Sequence, residues 1–464
     1  MADNWTTLRE LLLPAVSAGG RGRTVEAALR TAIRDGQLAP GSRLPSSRDL
    51  AAQLGVARGT VTAAYGQLTA EGYLSARRGS GTSVATALAG RAGTAAALPA
   101  APPWRYDLRP GIPALSEFPR AEWASVTRAA LSELPDETLG YPDPSGLPEL
   151  RAELTAYLGR VRAVTAENVA ITHGGAEGMS LLAAVLRAQG HTAMGVEDPG
   201  HPGQLDLLRE HGVDPVPVPV DCDGLVVSAL RASVRAVLVT SAHQFPLGTA
   251  LHQSRRHALL AWARSRDGVV IEDDYDAEHR YDRPALRAMQ AMDPGRVVYL
   301  GSVSKTLAPA LRLGWLVLPP SLYEGVVRRK RLTDLGCSPL PQAAFARLLR
   351  GGGYDRHLRR ARGTYRRRRD ALLSAVAELL PSWQPIGVAA GLHVVLRLPS
   401  GVDDTEVSGR LAEHGIHVPA LSAYSRLGTY PGLVVGYAAT TPDRLRDAVR
   451  EIAAIAGRGV PRRS

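Results

Sequence analysis

From Val169 onward the chain repeats one unit: a short apolar run, a small or polar turn, then a stretch of helical period. VAITHGG leads into AEGMSLLAAVLRAQG. TAMGVEDPG precedes a helix and then VDPVPVPVD. RAVLVTSAHQ precedes HALLAWARSRDG and then VVIEDDYD, and RVVYLGSVSK precedes a helical stretch. Strands alternating with helices are joined by crossovers, so the pattern predicts an α/β domain with a largely parallel sheet. In such sheets ligands collect beyond the carboxyl ends of the strands. HGG, EDPGH, SAHQFP, EDDYD and SVSK all stand at strand ends, where the fold would gather them around one pocket.

At 464 residues the chain is too long for one ordinary domain, and its composition breaks once. The run from Ser83 to Pro103 is mostly Ala, Gly, Thr and Pro, with nothing to anchor a core. Residues 84–105 therefore read as a linker between a small domain, 1–83, and a large one, 106–464. Cys222 and Cys337 are the only cysteines and have no metal-ligand spacing; no metal is expected, and a reducing cytosol is the default. The first residues lack a signal pattern and no apolar run is long enough to span a bilayer, so the expectation is a cytoplasmic protein with no membrane partner. A net charge of +11 favours a polyanionic partner such as nucleic acid. Much of the excess lies in RHLRRARGTYRRRRD, which reads as a solvated helix face.

The small domain reads as helices followed by a hairpin. TVEAALRTAIRDGQL places Val25, Ala28, Leu29 and Ile33 on one helical face and ends at Gly36. Ser46 followed by Asp49 has capping-box form and opens a short helix through Leu54. Gly55 supplies a turn, and a second helix runs from about Arg58 to Glu71. Two short helices around a glycine turn form a helix-turn-helix, whose second helix enters the major groove of double-stranded DNA. Arg58, Thr60 and Thr62 are then candidate groove residues, with Arg48 reaching phosphate. Arg77 and Arg78, before Gly-Ser-Gly, suit a basic wing tip. The alternative is a small helical oligomerisation module.

Only two of the 55 basic residues are lysine, Lys305 and Lys330. A lysine kept under such a bias is one arginine cannot replace, because only lysine loses its proton and attacks a carbonyl. Lys330 sits in RRKR, where any cation would serve; Lys305 sits in a small-residue turn and is the candidate for covalent chemistry. The alternative for Lys305 is a surface lysine. Pyridoxal 5'-phosphate requires an amine, a carboxylate for its ring nitrogen and a phosphate cradle. VVIEDDYD supplies carboxylates; Arg312, Ser302 and Ser304 suit phosphate, and Gly174, Gly175 and Ala176 open a helix whose amides suit an anion. Asp273, Asp274 and Asp276 have Mg²⁺ binding as their alternative, and His243 is either a cofactor contact or a structural histidine.

PSSRDLAAQLGVARGTVTAAYGQLTAEGYLSARRGSGT resembles the winged helix of GntR-superfamily regulators. Ala57 departs from the serine usual before the arginine. The large domain resembles fold-type-I aminotransferases. The whole chain resembles the MocR subfamily, which fuses the two. YPDPSGLPELR, EDPGHPG, SAHQFPLG, IEDDYDAEHRY and SVSKTLAPALRLGW carry that resemblance in order. It implies an α/β chain made of a winged helix-turn-helix and a pyridoxal-phosphate-dependent domain. It further implies a Schiff base at Lys305, Asp273 on the ring nitrogen, Tyr275 on the phenolate oxygen, and Ser302 and Arg312 on phosphate. Tyr141 would reach the phosphate of the other subunit in a head-to-tail homodimer. His201 replaces a stacking tyrosine, and Phe245 stands where aminotransferases carry asparagine. Val434, in LVVGYA, stands where amino-acid-binding members carry arginine. Loss of such a buried charged hydrogen bond removes about 1.5–3 kcal/mol of carboxylate binding. The expectation is a transcription regulator that senses pyridoxal phosphate or a small amine or amino-acid effector. An active aminotransferase with a DNA-binding appendage, or a DNA-binding protein using the fold only as a scaffold, are the other readings.

Overall fold

The computed structural model describes residues 23–77, 81–86, 104–281 and 286–456. The chain divides into two compact units, 1–102 and 103–464. In the smaller unit, helices α1 (Arg23–Arg34), α2 (Ser47–Leu54) and α3 (Arg58–Ala70) precede an antiparallel hairpin of β1 (Leu74–Arg77) and β2 (Gly81–Val84). Leu29, Leu50, Val61 and Leu68 are fully buried and form its core. Val84, taken from the sequence as the first linker residue, ends β2 and is buried.

The turn between α2 and α3 obeys its residues. Ser46 Oγ accepts from the Asp49 backbone N–H at 3.2 Å. The Asp49 carboxylate accepts from the Ser46 hydroxyl at 2.6 Å rather than from its backbone N–H, so the box is half-made; aspartate is one methylene shorter than the usual glutamate. Gly55 closes α2 at φ 66°, a left-handed conformation that costs glycine little. Ala57, at the N-cap of α3, makes no side-chain cap bond.

The larger unit is built on an eight-stranded sheet in the order β4-β11-β10-β9-β8-β5-β6-β7. The strands are β4 (Val169–Thr172), β5 (Ala193–Asp198), β6 (Asp214–Asp221), β7 (Gly224–Leu225), β8 (Ala236–Val239), β9 (Val269–Asp274), β10 (Val297–Ser302) and β11 (Gly314–Val317). Pairings from β10 through β9, β8 and β5 to β6 are parallel, as the alternation requires. β11 departs from the sequence expectation of a helical stretch after SVSK. The chain there makes one 3₁₀ turn and then enters this strand, antiparallel to both β10 and β4.

Both faces of the sheet are covered, which explains its continuous apolar strands. Along β8, Ala236 and Leu238 join the cluster under α6 (Gly175–Ala188), α7 (Pro202–Glu210) and α9 (Pro320–Asp334). Val237 and Val239 face α8 (Gln253–Ser265) on the other side. There α5 (Pro148–Arg162) and α10 (Pro339–Arg350), which packs against α4 (Arg120–Glu133), cover the β4–β11 end. The 27-residue α11 (Gly353–Leu379) joins this body to a C-terminal lobe. Its Tyr354 and Leu358 lie in the sheet core and its Leu372 and Val376 in the lobe's. The lobe has an antiparallel sheet β12 (Gln384–Ile386), β13 (His393–Arg397) and β15 (Gly432–Gly436), with α12 (Asp404–Glu413) and α13 (Pro442–Ala456). β3 (Tyr106–Asp107) pairs with β14 (Ile416–His417), stitching the start of the unit into this lobe. The arginine-rich stretch of α11 is not wholly a solvated face: Arg368 is buried and donates to the Ala438 carbonyl.

Candidate functional site

Strand register brings the anion-binding candidates together. Thr172 pairs with Gly314, which pairs with Ser302, so the ends of β4 and β10 flank the start of β11. Gly174 follows β4 at φ 84° and caps α6, whose first amides, at Gly175 and Ala176, have no intrahelical acceptor. A Cβ on Gly314 would stand 2.8 Å from the Gly174 backbone, so this approach needs glycine. The Arg312 guanidinium donates to the His173 carbonyl and lies 3.1 Å from where a Gly174 Cβ would be. Ser304 N is 3.4 Å from Ser302 Oγ. Arg312, Ser302 and the helix amides are thus contiguous.

Beside them, side-chain alternation at the end of β9 separates Asp273 from Asp274, and Asp276 lies two residues past the strand. Asp273 accepts from Gln204 Nε2 at 2.7 Å. Asp274 faces the opposite way, in a buried ion pair with Arg162 Nη2 at 2.6 Å and a bond from Tyr299. Asp276 Oδ2 lies 2.9 Å from His243 Nδ1, which is also 3.0 Å from the Tyr275 hydroxyl. Asp273, Asp274 and Asp276 thus each have a different partner, and they fall in neither of the groups with metal-ligand spacing among the described residues. Lys305 Nζ donates to the Gly111 carbonyl at 2.6 Å. Burial lowers its affinity for the proton, while Asp276 and Asp273 oppose that shift.

Burial pushes the Asp273 carboxyl up to about 7, against the Gln204 hydrogen bond. A carboxyl with a raised folded-state value binds more protons folded than unfolded. The stability it gives is present below its ordinary value of 3.8 and lost as pH rises through about 7. The cofactor-free protein should therefore lose thermal stability across that window, and Asp273→Asn should flatten the slope. An unchanged slope in melts across the window would refute this.

The remaining candidates are more scattered. His201 caps α7, its ring 5.5 Å from that of Phe245. Tyr141 is 90% exposed. Val434 is fully buried in an apolar cluster with Leu247, Val395 and Leu421. In the smaller unit Arg48, Arg58, Thr62 and Arg77 are exposed and Thr60 half-buried. The Thr62 hydroxyl turns back to the Arg58 carbonyl at 3.0 Å. Arg78 lies outside the described residues. The sequence reading missed Gly111 and Gln204; the latter's place three residues after His201, on the first turn of α7, was an available signal. It also misjudged Lys330, whose side chain is fully buried between Glu177 and Asp334.

Residues 116–452 match the aminotransferase class I and II family, and residues 21–84 match the bacterial regulatory proteins of the gntR family. The chain belongs to the GntR regulators of MocR type, in which these two domains are joined. The HTH-type pyridoxine biosynthesis transcriptional regulator PdxR of Corynebacterium glutamicum is 35% identical over 91% of this chain and 93% of its own. The probable rhizopine catabolism regulatory protein MocR of Rhizobium meliloti is 34% identical over 91% of each. Among solved structures, Pyrococcus horikoshii kynurenine aminotransferase covers 76% of this chain and 91% of its own at TM-score 0.70 and 24% identity, a likeness of fold. The fold family implies pyridoxal phosphate, and the GntR domain implies DNA binding. Among the described residues no helix is long and apolar enough to cross a membrane. The donor set fits the cofactor: a half-buried amine, a carboxyl beside it, and an anion cradle kept open where Gly174 lacks a Cβ.

Proposed function

We propose that this chain is a transcription regulator that holds pyridoxal phosphate on Lys305 and senses the cofactor itself. When bound, the cofactor supplies an aldehyde that a lysine amine captures covalently. Asp273 would keep the ring nitrogen protonated, and Tyr275, oriented by His243 and Asp276, would donate to the phenolate oxygen. Ser302, Ser304, Arg312 and the amides from Gly174 to Ala176 would hold the phosphate, and His201 would stack on the ring. Tyr141, exposed on this chain, would serve the site of a second copy in a head-to-tail homodimer. Arg48, Arg58, Thr60, Thr62, Arg77 and Arg78 would contact an operator. The residues after β2, from 85 to 105, would act as the linker.

One observation carries the choice of sensor over enzyme. Val434 is fully buried among leucine and valine, so the position offers no charge to an amino-acid carboxylate. The name of the Corynebacterium relative, a regulator of pyridoxine biosynthesis, supports the same reading. The route outward starts at Gly111: its carbonyl accepts the free Lys305 amine, and it lies four residues past β3, the first strand after the linker. A lysine committed to the cofactor no longer donates there as a free amine.

The test is a titration of the protein on its upstream promoter fragment, with and without pyridoxal phosphate, for wild type and Lys305→Ala. Binding that shifts with cofactor in wild type alone is expected. Binding indifferent to cofactor, or rapid transamination between an amino acid and a keto acid, would overturn the sensor reading.

A further inference from the structure

Lys330, the other lysine, is tied to the phosphate cradle. Its Nζ lies 2.9 and 3.1 Å from the two Glu177 oxygens and 2.7 Å from Asp334 Oδ2, with the side chain fully buried. Both carboxylates also hold His173. Glu177 Oε2 accepts its backbone N–H at 2.5 Å, and Asp334 Oδ2 stands 3.1 Å from its Nδ1. The His173 carbonyl accepts from Arg312, whose guanidinium rests against Gly174. One residue is thus gripped at its N–H, its ring and its carbonyl, and the third grip is the candidate phosphate arginine.

We propose that Lys330 is a positioning residue for phosphate: its ammonium bridges Glu177 and Asp334 and offsets one of their two charges, and these carboxylates fix His173 and through it Arg312 and the Gly174 peptide. This rests on the pyridoxal phosphate reading above. Without the ammonium, Glu177 in the first turn of α6 becomes an uncompensated anion at the helix end that the phosphate needs. His173, Glu177, Asp334 and Cys337 also place their ligand atoms within 4.8 Å of one another, a spacing that would suit a metal. Lys330 already supplies the cation bonded to both carboxylates. Lysine fits this enclosed point better than arginine because an ammonium is a compact donor and a guanidinium a longer planar fork. The bias against lysine then has one explanation at both positions: each lysine serves the same site.

The test compares pyridoxal phosphate with pyridoxal, which has the aldehyde and ring but no phosphate. Dissociation constants for both are measured spectroscopically on the full-length protein. In Lys330→Met the preference for the phosphorylated aldehyde should fall about tenfold, as expected for one weakened charge-assisted contact, with pyridoxal affinity unchanged. Adding Glu177→Gln to that variant should restore most of the preference, since the amide still accepts from His173 without its charge. Lys330→Gln, which keeps a donor, should move the preference the same way and replaces the methionine variant if that one does not fold. An unchanged preference, or equal loss for both aldehydes, overturns the proposal while leaving the cofactor reading intact. Failure of wild type to bind pyridoxal phosphate overturns both.

Discussion

Lys305→Ala should abolish the yellow colour that lysine-bound pyridoxal gives, and should weaken pyridoxal phosphate binding by about a hundredfold or more, some 2.7 kcal/mol. The contacts proposed for Asp273, Tyr275, Ser302 and Arg312 remain in that variant, so residual binding is non-covalent. The reactivity comes from placement. Lys305 stands just beyond the strand end at Ser302, and burial favours its neutral, nucleophilic form even with Asp273 and Asp276 nearby. Lys305→Arg should not rescue, because a guanidinium stays protonated and cannot attack. Mass spectrometry after borohydride reduction checks the site: an adduct on wild type at Lys305 and none on either variant. An adduct at another residue, or colour retained in the alanine variant, would sink the assignment.

The parallel sheet and its strand-end loops were legible because their signals are local. Two-residue and 3.6-residue periods differ within one window, and Gly55 and Ser46 mark their turns directly. Asp273, Lys305, Ser302 and Arg312 could be nominated together because strand ends share one edge. The illegible features depend on distant pairs. The RRKR surroundings of Lys330 look like surface, yet its partner Glu177 stands 153 residues earlier in the chain. The acceptor of Lys305 is a backbone carbonyl 194 residues away, which no side-chain pattern announces. The direction of β11 rests on Gly314 meeting the Gly174 backbone, a close approach that its short apolar run does not encode. Asp273 and Asp274 were separable in principle. Alternation along a strand already forbids Asp273 and Asp274 from facing the same ligand.

That separation predicts opposite consequences for neighbouring carboxylates. Asp274→Ala should destabilise the larger unit by about 3–5 kcal/mol, because it strands a buried guanidinium. Arg162 and Asp274 are each 1% exposed at the side chain, with Arg162 Nε and Nη2 at 2.7 and 2.6 Å from Asp274 Oδ2. Tyr299 also donates to that oxygen at 2.6 Å, and Arg162 donates to the Leu286 carbonyl. Asp273→Ala, by contrast, removes a carboxyl that burial already disfavours in its charged form, so it should cost little stability and act on cofactor binding. Denaturant titrations of the cofactor-free variants measure the difference, and equal losses would refute it. Removing both charges in Arg162→Met/Asp274→Leu should recover much of the stability, since the penalty lies in the unpaired charge more than in the lost pair. Cofactor affinity in that double variant tests one further link. Arg162 ends α5 and grips β9 one residue from Asp273, so a pair that only stabilises the fold would leave affinity unchanged, and one that also sets the register of β9 would lower it.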